Sequence, residues 1–197
     1  MPNAFGIILK RFRETFERFP LAVLSIAGFY VLGNFDLRWP YGGLPYVFLF
    51  SYCVTFWLVS IKLYAESHGL SIHVSNAIGL VTFAPVSYLA LVSRIISYDA
   101  LGYAFPLFFA LMFIAPFLRW NVKFKEIGQF YNQFWGHIGR TIPIVFIFFM
   151  IALAVFFWLY PVFGIPMHRH EFARLSDIIL SLLFPIIALA GVPKMQK

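Results

Sequence analysis

Six stretches of this chain carry no charged side chain: residues 19–35, 39–61, 74–93, 100–118, 141–167 and 178–193. A helix that crosses a bilayer needs about 20 predominantly apolar residues, with a range of about 17–25. Four of the six stretches meet that length comfortably, while the first and last are short. Period-2 alternation, the signature of a membrane β-barrel, is absent. In lipid every backbone group must bond within its own segment, so helices remain as the spanning elements. The expectation is an all-α, polytopic transmembrane bundle. Spans are placed near 19–35, 44–65, 75–93, 101–118, 141–164 and 178–193 in one domain covering 1–197.

Composition agrees. The chain is 61% hydrophobic and 12% charged, about half the charge of an average soluble domain. The 26 Phe suit acyl chains, and the 5 Trp and 10 Tyr suit the headgroup level. The formal net charge of +7 would suggest nucleic acid in a soluble protein. Beside apolar runs it reads as lipid-facing and cytoplasmic-loop charge, and no nucleic-acid partner is expected. Cys53 lies inside an apolar run and reads as a small buried hydrophobe. The first apolar run follows a long charged lead and no small-x-small cleavage site follows it, so it reads as a span that stays.

Two further segments are amphipathic. In 3–18 the apolar residues Phe5, Ile8, Leu9, Phe12 and Phe16 recur at helical spacing, and Lys10, Arg11, Arg13, Glu14, Glu17 and Arg18 lie elsewhere. In 121–139 the apolar face is Phe124, Ile127, Tyr131, Phe134, Trp135 and Ile138, with Lys123, Lys125, Gln129, Asn132 and His137 opposing or flanking it. Both, as 1–18 and 121–139, are expected as interfacial helices on the membrane. Docking on protein is the competing reading, since periodicity cannot separate the two.

Proline marks local events. Pro20 and Pro143 fall near expected helix starts, where proline fits. Pro85 falls near the middle of the third span and predicts a kink there, and Pro106, Pro116 and Pro185 are tolerable because membrane helices re-satisfy freed carbonyls.

Lys and Arg set orientation. With six spans and a cytoplasmic N-terminus, eleven of them lie inside and four outside (Arg38, Arg94, Arg169 and Arg174). This is a positive-inside bias, and it puts both amphipathic helices on the face where anionic headgroups favour them. The expected location is a bacterial inner membrane, multi-pass, with both termini cytoplasmic.

An ionisable residue inside a span is a functional hypothesis by default, and none lies near the centre of any of the six runs. That argues against a proton-coupled transporter or pump. Lys62 and Glu66 share a helix face and read as a structural pair or a snorkelling lysine. Arg94 and Asp99 flank a short outer loop and read as paired with each other or with headgroups. His168, Arg169, His170 and Glu171 form a His-x-His-Glu string, a pattern that can hold a metal. It follows Pro166 in a loop whose only other carboxylate is Asp177, so it reads as a solvated basic loop. His68, His73 and His137 are expected on the opposite side. Nucleotide-binding, hydrolase, metalloprotease and Cys-x-x-Cys motifs are missing, and Gly42–Gly43 is a turn. Small-xxx-small spacing is seen only loosely, at Gly28 and Gly33. No catalytic, cofactor-binding or metal-binding residue is assigned, and no enzyme activity or cofactor is expected.

Four strings occur in order: RFPLAVL at 18–24, APFLRW at 115–120, QFYNQFWGHIGR at 129–140 and LFPIIALAGVPK at 183–194. Together they resemble the N-terminal half of the bacterial membrane family catalogued as domain of unknown function 4153, over nearly the whole chain. The resemblance implies a polytopic inner-membrane protein and carries over no functional residues. Its members usually continue past Gly-Val-Pro-Lys with a second set of spans, so this chain is expected to be a shortened or split form.

Two functions follow as expectations: a non-enzymatic subunit or scaffold assembling with another membrane protein, or a transporter or channel for an uncharged or lipid-like solute around spans three and four. A lipid-acting enzyme would need His168, His170 and Asp177, and alanine at all three would test it.

Overall fold

The computed structural model describes residues 4–34, 44–88, 97–118, 122–163, 179, 182 and 184–194. Among the described residues the elements are helices, with no strand. In chain order they are α1 (Ala4–Arg18), α2 (Pro20–Asn34), α3 (Leu44–Ser67), α4 (Ile72–Ser87), α5 (Tyr98–Ile114) with a 3-10 turn (Ala115–Phe117), α6 (Phe124–Phe163) and α7 (Phe184–Ala190). The chain forms two compact units, the first of residues 1–128 and 194–197, the second of 129–193.

Among the described residues, two helical segments are long and apolar enough to cross a membrane, Asp99–Phe117 and Phe124–Val155. Pro20–Val31 and Ile72–Ser87 are apolar but shorter. The expected all-helical chain is therefore present, and spanning length is met in these two segments. The expected outer loop with His168, His170 and Asp177 lies outside the described residues, as do Arg94 and residues 178, 180, 181 and 183 at the start of the expected last span.

In the first unit α3 is the central helix, packed against α2, α4 and α5. Phe50, Cys53, Val54, Val59, Leu63 and Ala65 are all buried, with Val59 and Leu63 at 0% exposure. The α2 stripe facing it is Phe19, Ala22, Val23, Ile26 and Phe29, the i, i+3, i+4, i+7 spacing of one helix face. Between α3 and α5 the aromatic rings interlock. Phe56 sits edge-on to Phe109 at 5.2 Å and Phe105 at 5.5 Å, and Trp57 meets Phe108 at 5.6 Å. These are the offset geometries that ring quadrupoles favour. Much of the phenylalanine expected against lipid thus packs helix on helix.

Local chemistry explains the ends. Pro20 opens α2 because a first-turn residue needs no N–H, and the preceding Phe19 still donates to the Thr15 carbonyl at 2.8 Å. The α3–α4 turn closes on Gly69, whose φ of 68° lies in the left-handed region that an L side chain resists. Leu70 N–H reaches back to the Ala65 carbonyl at 2.8 Å, the six-to-one bond of a glycine-terminated helix. Ser71 then caps α4 by accepting from Val74 N–H, and Ser97 caps α5 by accepting from Ala100 N–H.

Pro85 lies in the last turn of described α4, where Tyr88 N–H bonds the Ala84 and Pro85 carbonyls. The rest of the expected third span, residues 89–93, lies outside the described residues. The expected break between an interfacial helix ending at 139 and a span starting at 141 is absent. Both segments belong to one 40-residue helix, α6. Pro143 is accommodated inside it, with Gly139 standing four residues earlier, where the ring forces the backbone to give way. Arg140 Nε donates to the Gly136 carbonyl at 2.9 Å on the same stretch.

Candidate functional site

Three places gather polar or open structure, and each is built by a different set of elements.

The first is an ion pair at the junction of α1 and α2. Arg18 reaches the C-terminal end of α3, donating from Nε to Glu66 Oε1 at 2.9 Å and from Nη2 to Glu66 Oε2 at 2.7 Å. Both side chains are largely buried, at 12% and 19% exposure. Two parallel bonds between planar groups are the strongest form of such a pair. The Arg18 guanidinium also lies 4.6 Å over the Phe19 ring, a cation–π contact. Glu66 therefore bonds Arg18, and Lys62, on the same helix face, stays within the reach of its charge. Sequence reasoning missed this because the partners are 48 residues apart. A narrow cleft beside it is lined by Arg18, Phe19, Leu58, Lys62, Ser75 and Asn76. The arrangement ties the end of α1 to the C-terminal end of α3.

The second is an apolar cavity of about 390 Å³ between α3, α4 and α5. Its wall includes Phe50, Cys53 and Trp57 from α3, Phe83 from α4, and Leu101 and Phe108 from α5. The polar atoms at its wall are satisfied by the protein. Trp57 Nε1 donates to Thr82 Oγ1 at 3.0 Å, Thr82 Oγ1 donates to the Ile78 carbonyl at 2.8 Å, and Cys53 Sγ faces the Leu101 carbonyl at 3.8 Å. With these donors engaged, the space offers a guest only apolar contact.

α4 is held close to the other helices by small residues. Ser75 and Gly79 are its buried positions. A Cβ on Gly79 would come within 3.0 Å of Leu58 Cδ2 and 3.1 Å of Leu21 Cδ1. This is small-xxx-small packing, and the available signal was the Ser75–Gly79 spacing, four residues apart. Hydroxyls add to it across α2 and α3, where Ser25 and Thr55 lie 3.2 Å apart.

The third lies in the second unit. His137 Nε2 stands 3.2 Å from the Ile187 carbonyl. At the end of α7 the backbone tightens, Gly191 N–H bonding Ala188 and Val192 N–H bonding Leu189, and His137 takes up a carbonyl of that last turn. A Cβ on Gly191 would fall on the His137 ring, so only glycine fits. Of the histidines expected on a polar flank, this one is instead a tie between α6 and α7.

Cys53 is buried as expected. His68 stacks on Tyr64 at 4.1 Å, and no three His, Cys, Asp or Glu side chains converge among the described residues. Compared with protein-family models, curated proteins and solved structures, the chain matches none of them.

Proposed function

We propose that this chain is a multi-pass protein of a bacterial inner membrane that serves as a non-enzymatic subunit or scaffold, assembling with another membrane protein. One observation carries the membrane reading. On α6 the buried positions Phe130, Phe134, Thr141 and Val145 form one narrow stripe, and Ile142, Ile144, Phe146, Ile147, Phe148, Met150, Ile151 and Val155 are all 49–61% exposed. At 100° per residue those exposed positions cover most of the circumference. A helix apolar all round needs lipid or another protein as its solvent.

The length of α6 supports the same arrangement. Forty residues reach about 60 Å at 1.5 Å per residue, roughly twice the hydrocarbon thickness. Its basic, amphipathic first part then stands at and beyond the cytoplasmic headgroups and its apolar remainder crosses. On α1, Phe12 and Phe16 are exposed and Thr15 is buried, which favours a membrane-facing over a protein-facing apolar edge. Six spans, both termini inside, and kinship with the family of unknown function 4153 complete the proposal, supported by the charge bias and the four ordered strings.

The subunit reading rests on bare apolar surface and on spans without central charge. It is tested by mild detergent extraction of tagged protein and mass spectrometry of what accompanies it. A stoichiometric membrane protein, lost when Ile144, Ile147 and Ile151 are all changed to alanine, is the expected result. A monodisperse chain without a partner contradicts it. The second reading, a path for an uncharged or lipid-like solute, is favoured by the apolar cavity of the first unit.

A further inference from the structure

We infer that the cavity between α3, α4 and α5 is an acyl-chain site, occupied by one hydrocarbon tail of a bilayer phospholipid. The inference rests on the membrane reading above.

The volume, about 390 Å³, is that of a small-molecule pocket. Water is a poor occupant, because it needs two to four polar partners and the Trp57, Thr82 and Cys53 atoms are committed to one another and to backbone. An empty apolar cavity forfeits contacts in proportion to its volume, so an apolar guest is favoured. At its edge stand Val86 of α4 and Ala100 of α5. Both are exposed, which opens the cavity to the outside of the unit. The outer surfaces beside that opening are apolar as well: Val81 is 72% exposed, Tyr103 83% and Leu107 61%. In a bilayer the medium at such a mouth is lipid tails. A flexible chain entering there meets Phe83, Trp57 and Phe108, with no polar group to desolvate.

The test uses the full chain in phosphatidylcholine vesicles that contain a phospholipid with a diazirine near the end of one acyl chain. After irradiation, adducts are located by mass spectrometry. Adducts on Cys53, Trp57 or Phe108, as well as on outward-facing Val81 and Leu107, are expected. Ala104→Phe, in the α5 part of the cavity wall, and separately Val86→Phe at the exposed mouth, should lower the cavity adducts at least fivefold and leave the outer ones unchanged. Adducts confined to Val81 and Leu107 would overturn the site while upholding the membrane reading. A chain that does not enter vesicles and gains no adducts anywhere would overturn that reading and this inference with it.

Discussion

Helices α3 and α6 are both long and apolar, and they live in opposite surroundings. α3 is covered on several sides, with Val59 and Leu63 fully buried. α6 shows apolar side chains around most of its girth. Hydropathy does not separate them; hydroxyl-bearing residues do. α3 buries Ser51, Thr55 and Ser60, and the Ser60 hydroxyl bonds back to the Phe56 carbonyl at 2.7 Å. Residues 142–159 of α6 hold no Ser, Thr or Gly. Where helices must approach, backbone-sized side chains and short hydrogen bonds appear. Where no helix packs closely, bulky apolar side chains stand exposed.

The sharpest way to break this contrast is truncation at the centre of α3. Leu63→Ala should cost about 4 kcal/mol, the deletion of a fully enclosed side chain, read as a fall in thermal midpoint in detergent. Arg18→Ala should cost about 3 kcal/mol, because Glu66 keeps its charge in a largely buried site. A double change, Arg18→Ala with Glu66→Ala, should recover part of it, and strict additivity would show that the two groups do not interact. Gly79→Val should cost about 2 kcal/mol by forcing Leu58 and Leu21 aside, whereas a neutral outcome would mean α4 can move away freely. Phe148→Ala on α6 should change stability by no more than about 0.5 kcal/mol. A cost comparable to that at Leu63 would erase the difference between the two helices.

The sequence made the local features plain and the long-range ones opaque. The junction at Pro20 and the two amphipathic segments follow from spacing and proline chemistry. The break expected at 139–141 did not survive, because the proline at 143 could be absorbed within a continuing helix. Lys62 and Glu66 read as a structural pair or a snorkelling lysine, and the Arg18 bond to Glu66 stayed hidden because only the fold brings residues 48 apart within reach. Ser75 and Gly79 were visible as small residues four apart, but only the approach of Leu58 shows that the spacing is used. The cavity has no sequence signature, because it is a gap in packing and its wall residues look like any apolar core.

The most direct test of the account is spin labelling along α6 of the full chain in lipid vesicles, in a Cys53→Ala background. Single cysteines at Lys125, Asn132, Ile144, Phe148, Ile151 and Val155 carry a nitroxide, and its collisions with oxygen and with a water-soluble nickel chelate are compared. The account predicts chelate access at 125 and 132, and oxygen access without chelate access from 144 to 155. Chelate access throughout 144–155 would contradict it, because the apolar girth of α6 would then face water.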